Sequence, residues 1–504
     1  MKRIKLVIFL LISSLFIFVS ACSNNAKENS SKKELTFLFN FPSQTIDPNL
    51  DYTPLRAGVT ETLVKLSEDL KIEPWLAEKW ESKDGQNWTF HIREGVTFQN
   101  GKALTAASVK KSLERAMKIN PGVKEVLKID RMEAEEQNLK IVTKEPFPQF
   151  PSELVHPNTS IIDVDAKNPE KAPVGTGPFS VDSFVAGSSL EVKRNNKYWD
   201  DVAKLERASF KFNEDENARL SALKSGGADV VYRPPVDSLS ELKGNKEFKV
   251  ESVVGLKTHE LIFNTQTHVF KNENVRKAFD ALVDREELLN NIMSGQGKLA
   301  EGPFLPEFTY VPKYQLKDTG TAAALQWFEK AGYDTKDGKI SKDGKPLKLK
   351  LLTYGSRAEF PIFSQALQSQ AKKIGITISI DVIENYEDYL LKHNDWDIGM
   401  YSPLIAPRGD ASYFLNVSFK PKGSLNFSKV DDQKLTSLID KLDKTFDESE
   451  RKNLIKQALT YIDEKTYYSY LVHPNIVVAF KDRVRHWTTS KSEYYMLTNQ
   501  LDVE

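Results

Sequence analysis

The sequence predicts a mixed α/β protein of two or three domains. Short β-patterned runs alternate with amphipathic helical stretches along the chain, and 504 residues at 40% hydrophobic and 10% aromatic content can fill more than one large core. Strands are expected at 34–40, 88–93, 139–143, 190–193, 248–251 and 347–352, where β-favouring residues alternate or concentrate. The strand at 88–93 is flanked by Asp84-Gly85 and Asn100-Gly101, both hairpin-turn pairs. A helix over 105–117 carries Ala106, Val109, Leu113 and Ala116 on one stripe, and another over 321–331 is stopped by Gly332. A third runs through Phe363, Ala366, Leu367 and Ala371 and ends before Gly375, after which 377–380 is a strand. That helix-then-strand order, met again after Asn274-Val275-Arg276, is how α/β lobes are built. No fixed-period repeat is visible.

The N-terminus reads as an export signal: Lys2, Arg3 and Lys5 precede an apolar run over 6–19 that is too short to cross a bilayer comfortably. It ends in Val19-Ser20-Ala21-Cys22, which resembles the bacterial lipobox, so Cys22 is expected to be the first mature residue and the site of lipid attachment. As the only cysteine, it leaves no partner for an internal disulfide or a thiolate cluster. Residues 22–33 contain no aromatic or branched apolar side chain and read as a flexible tether. Losing the three signal cations leaves a net formal charge of about minus three, which gives no footing for nucleic acid.

Further motifs are spread through the chain: Ile46-Asp47-Pro48; Pro74-Trp75-Leu76-Ala77; Trp88-Thr89-Phe90-His91-Ile92-Arg93-Glu94-Gly95-Val96-Thr97-Phe98; Pro173-Val174-Gly175-Thr176-Gly177-Pro178-Phe179; Asn195-Asn196-Lys197-Tyr198-Trp199; Val275-Arg276-Lys277-Ala278-Phe279; and Ile374-Gly375-Ile376. In this order the chain resembles the peptide- and nickel-binding solute-binding proteins of ATP-driven importers, solute-binding family 5, over the whole mature length. It departs at Gln99-Asn100-Gly101, where the family usually has His-Asp-Gly. Most of these motifs have structural explanations. Gly175 and Gly177 suit a tight turn, and Trp80, Phe98 and Trp199 suit packing.

The resemblance implies a two-lobed periplasmic-binding-protein fold (type II, cluster C) with an extra subdomain in the first lobe. Its expected divisions are a signal over 1–21, a tether over 22–33, lobe I over 34–258 plus 474–504 with an insertion at about 59–174, and lobe II over 259–473. Ligand is enclosed as the lobes close, and the hinge candidates are 261–265 and 470–475. Expected partners are an ABC permease and its ATPase, a small ligand, and the extracytoplasmic face of the cell membrane through the lipid anchor. A monomer is expected.

For the site, the resemblance directs attention to the loop 401–415. Within it, Asp410 could neutralise a cation, Arg408 a carboxylate, and Tyr401 line the ligand, although Asp410 is equally well placed to cap the helix that follows. Tyr52, Arg56, His156, Tyr354 and Arg357 complete the candidates. The ligand read first is nickel, as a small organic chelate; the alternative is a di- or oligopeptide. The Trp75 and Trp88 motifs and the chain length favour nickel. Against it, Asn158 stands where an arginine is expected, and 419–427 offers no histidine. None of the seven histidines (His91, His156, His259, His268, His393, His473, His486) pairs at metal-site spacing, so no metal ligand is assigned and no cofactor is expected. Nor does any nucleophile elbow, phosphate-cradling loop or paired-histidine zinc motif occur, which argues against an enzyme.

Overall fold

The computed structural model describes residues 33–504, so the signal, Cys22 and the tether up to residue 32 lie outside the described residues. Lys33, at the tether's edge, is already held by the Asp502 carboxylate at 2.8 Å. Among the described residues, no helix is long and apolar enough to cross a membrane.

One sheet of twelve strands runs through the molecule, and a single strand, Tyr468–Lys481, belongs to both of its halves. The beginning of that strand pairs antiparallel with His259–Phe263, and its end pairs with Val230–Tyr232 and Phe248–Val254. Tyrosine, valine, isoleucine and phenylalanine supply the buried strand that the two cores require. Pro474 has no N–H for a ladder and sits at the changeover of partners, where its carbonyl accepts from the Gly255 backbone at 3.1 Å. In the first half, Glu34–Phe39 lies parallel to both Arg207–Phe212 and Val230–Tyr232. In the second, Lys348–Thr353 lies parallel to both Thr377–Val382 and Ile398–Tyr401.

The two chain crossings fall at Gly255 to Thr258 and at Pro474. The crossing expected at 261–265 lies elsewhere: His259–Phe263 is paired along both edges, to Ile398–Tyr401 and to Tyr468–Lys481, and so is an interior strand of the second half.

A separate four-stranded antiparallel sheet, Ala77–Ser82, Asn87–Ile92, Asn138–Thr143 and Ile129–Glu135, packs with the helix Ala106–Ile119 in its own core. That helix buries the expected stripe of Ala106, Val109, Leu113 and Ala116, and Thr105 and Ser108 close a capping box at its start. Asp84-Gly85 turns between the first two strands, and Trp80, Phe98 and Trp199 join this core.

The chain bends at 176–178, and the glycines on either side of Thr176 serve a close approach as well. They let it press against residues 58–60: a Cβ at Gly175 would collide with the Val59 carbonyl oxygen, and one at Gly177 with that of Gly58. The contact brings Thr176 onto Glu61, which is fully buried and accepts from the Thr176 hydroxyl at 2.6 Å, the Tyr198 hydroxyl at 2.7 Å and the Trp199 indole N–H at 2.9 Å. Two motifs about twenty residues apart thus converge on one carboxyl. Gly177→Ala is expected to cost about 2–3 kcal/mol, because backbone and not a flexible side chain must give way; a urea midpoint unchanged from the parent would refute the close-packing role.

Candidate functional site

Parallel strands present their C-terminal ends together, and ligand clefts in α/β proteins form there. Here Lys348–Thr353, Thr377–Val382 and Ile398–Tyr401 end at a cavity of about 1020 Å³, which they line with Tyr354 and Arg357, Glu384, and Tyr401 and Ser402. Phe41, from the first half, faces them across the gap. Tyr354 packs on Tyr386 with ring centroids 4.6 Å apart, and Tyr401 donates to Glu387 at 2.6 Å.

Behind this cavity lies a group of buried and half-buried charges drawn from both halves. Glu493 accepts from Lys257 at 2.9 Å and lies 3.6 Å from Arg233, whose guanidinium sits over the Phe41 ring at 5.8 Å. Arg56 donates its Nε to the Glu493 backbone carbonyl at 3.0 Å and stacks on Phe39 and Tyr52. Arg357 lies 3.5 Å from Glu359, which also faces His259 at 3.1 Å. Arg233 and Glu493 both hold left-handed backbone conformations, uncommon for such residues, with φ of 49° and 58°. Burial pulls the Lys257 ammonium down to about 8, whereas Lys257 and Arg233 together hold the Glu493 carboxyl well below the usual range. Burial also pushes His259 toward its neutral form. Four basic side chains therefore face two carboxylates, an excess of two positive charges.

A second space of about 510 Å³ lies between the four-stranded subdomain and the second half, lined by His156, Asn158, Arg408 and Tyr413. Arg408 reaches Glu153 at 2.8 Å and stacks on Tyr413 at 4.1 Å. Both ring nitrogens of His156 are engaged: Nδ1 accepts from the Asn158 backbone at 3.2 Å and Nε2 faces the Tyr52 hydroxyl at 3.0 Å. Burial, reinforced by Arg408, keeps this ring neutral.

Residues 71–426 match the family model of bacterial extracellular solute-binding proteins, family 5, middle region. The chain belongs to family 5. This family 5 protein is 30% identical to the nickel-binding protein NikA of Staphylococcus aureus over 494 residues, covering 98% of this chain and 99% of that one. Its fold superposes on the crystal structure of a nickel ABC transporter from Bacillus halodurans with a TM-score of 0.81 at 49% identity, covering 94% of this chain and 100% of that one. It also superposes on NikA from Staphylococcus aureus in complex with Ni(L-His)2, with a TM-score of 0.83 at 30% identity and the same coverage. The halves described above are the two lobes of this fold, and family 5 proteins are transport binding proteins rather than enzymes.

In the family 5 protein the expected site residues are distributed over the interlobe region. Tyr354, Arg357 and Tyr401 share the larger cavity, His156 and Arg408 line the smaller, and Tyr52 and Arg56 connect them by stacking. Asp410 lines neither cavity: it accepts from the Ser412 backbone at 2.7 Å and faces Arg451 at 3.4 Å, and it does not cap the following helix, whose N-cap position is Ala411. Sequence reasoning missed Arg233, Lys257, Glu359 and Glu493. Their common feature is convergence from distant segments; the only local sign at Arg233 is the Pro234-Pro235 that follows it.

The crossing carries a pH response. His473 is buried, its Nδ1 lies 2.9 Å from the Thr258 hydroxyl, and that hydroxyl donates onward to Pro303, so Nδ1 holds the proton. Burial takes His473 from 6.5 down to about 4. The unfolded chain thus binds the proton first: the stabilisation is complete above pH 6.5 and is lost as pH falls toward 4, by about 2–3 kcal/mol. His473→Asn is expected to make the loss shallower by this share, since the buried His156 and His259 titrate in the same window, and an unaltered slope of stability between pH 7 and 4.5 would rule out a contribution from His473.

Proposed function

We propose that this family 5 protein is the lipid-anchored, extracytoplasmic receptor of an ATP-driven importer and that its cargo is nickel held in a small organic chelate. The observation that carries the reading is the end-to-end similarity to a relative named as nickel-binding, at 30% identity, and to one named as a nickel ABC transporter, at 49%. The cleft chemistry supports it. Arg357 on the cavity wall and Arg233 behind it suit the carboxylates of an organic chelator, while Glu384, Glu387 and Asp388 on the same wall suit its cationic part. Among the described residues, no group of three or more His, Cys, Asp or Glu is placed to hold a metal ion, which suits a metal that brings its own ligands.

Arg357 and Arg233 would take the carboxylates, Tyr354 and Tyr401 the apolar faces, and Arg408 with His156 the far end of the cleft. Lobe I would comprise 34–258 and 474–504, with the insertion at about 59–174, and lobe II 259–473. Closing over ligand would present the shape a permease and its ATPase read. Cys22 would carry the lipid, and Cys22→Ala should release the protein from the membrane fraction into the medium.

The deciding experiment is thermal unfolding of metal-stripped protein lacking residues 1–22. It is scanned against nickel, nickel with free histidine, and a pool of di- to pentapeptides, because a ligand that binds only the folded state raises the midpoint. A rise with nickel and histidine, exceeding that with nickel alone and absent with peptides, is the expected result. A rise with peptides alone would transfer the cleft to peptide cargo.

A further inference from the structure

A cavity of about 540 Å³ opens within the first lobe and shares no lining residue with the two interlobe spaces. One wall is the hairpin of Val64–Leu66 and Ile72–Pro74; the opposite wall comes from Tyr198, Asp200 and the C-terminal segment around Tyr495. Glu68, Asp69, Glu73 and Asp200 line it against a single base, Lys65. The four carboxylates are solvent-exposed, and burial, with a smaller contribution from Asp200, raises the Glu61 carboxyl in the same wall. Trp75 and Tyr495 meet edge-to-face at 5.5 Å and, with Tyr198, supply aromatic surface. Thr60 also lines the cavity; it is fully buried and its hydroxyl has no partner.

We propose that this cavity is a second binding site, specific for a small organic cation of the guanidinium or alkylammonium class. Carboxylates at the rim attract the charge, aromatic faces bind both the cation and its alkyl part, and the free Thr60 oxygen can accept from a donor N–H. The volume falls in the range of small-molecule sites and exceeds what one protruding lysine or arginine side chain would fill, which favours a free molecule as occupant.

The test is calorimetric titration of the mature protein with butylguanidinium, and with butylurea as its neutral isostere. In parallel, the 19F resonance of 5-fluorotryptophan at position 75, identified from Trp75→Phe, is followed. Saturable one-to-one binding of butylguanidinium is expected, at least tenfold tighter than butylurea, with a shift of the Trp75 resonance and at least a tenfold loss in Glu73→Gln/Asp200→Asn. Both substitutions lie at exposed positions, so the unfolding midpoint should not change; Glu73→Gln alone gives the same reading at smaller amplitude. Arg357→Ala, in the interlobe cleft, should leave this binding intact. Equal affinity for the two probes, an unmoved Trp75 resonance, insensitivity to the acidic substitutions, or loss in Arg357→Ala would each overturn the proposal.

Discussion

Glu61→Ala is expected to lower the stability of the first lobe by about 3–5 kcal/mol, among the largest losses a single side chain can cause here. The cause is not the carboxyl's own contribution. Removing it leaves the Thr176 hydroxyl, the Tyr198 hydroxyl and the Trp199 indole N–H facing a small apolar hole. A buried donor without an acceptor costs about 1–3 kcal/mol. Glu61→Gln keeps one carbonyl oxygen and should lose less, while Trp199→Phe removes a single donor and should lose about 1–2 kcal/mol. Urea unfolding followed by tryptophan fluorescence reads all three. A loss of less than about 1 kcal/mol for Glu61→Ala would mean that water takes over the carboxylate's role and that the two motifs are held by packing alone.

The second large effect concerns ligand. Arg357 is about nine-tenths buried and lines the cavity, with its one carboxylate neighbour, Glu359, at 3.5 Å. A planar guanidinium can clamp a carboxylate through two parallel N–H donors, which an ammonium cannot imitate. Under the proposed function, Arg357→Ala should weaken nickel–histidine binding by about 2–4 kcal/mol, or roughly thirty- to a thousandfold, and Arg357→Lys should recover only part of it. Titration calorimetry at fixed pH measures both. Parental affinity in a folded Arg357→Ala protein would take Arg357 out of the site.

Local physics made much of the fold readable. The stripe Ala106, Val109, Leu113, Ala116 is buried where a 3.6-residue period places it, and the helix Glu359–Lys373 leads through Gly375 into the strand Thr377–Val382 as the pattern required. Residues whose role arises from distant segments were not readable. Glu61 looks like any acid between two threonines until the 175–177 and 198–199 segments close on it. The cluster of Arg233, Lys257 and Glu493 spans more than two hundred residues of sequence and has no local pattern. The same limit explains the crossing at 261–265: apolar content identified a buried strand, but not that both of its edges were taken. Aromatic and arginine candidates were found individually; their division between two cavities depended on how the lobes meet.

The strand shared by the two halves also sets the order in which the molecule can be completed. Val230 must pair with Phe480, and the opening strand Glu34–Phe39 rests on Val230–Tyr232. A strand near residue 34 therefore waits for one near residue 480 before its sheet is whole. During synthesis the four-stranded subdomain can gather its own core early, whereas the first lobe stays open until the strand Tyr468–Lys481 arrives. Truncation near residue 480 should therefore leave a protease-sensitive first lobe around an intact subdomain.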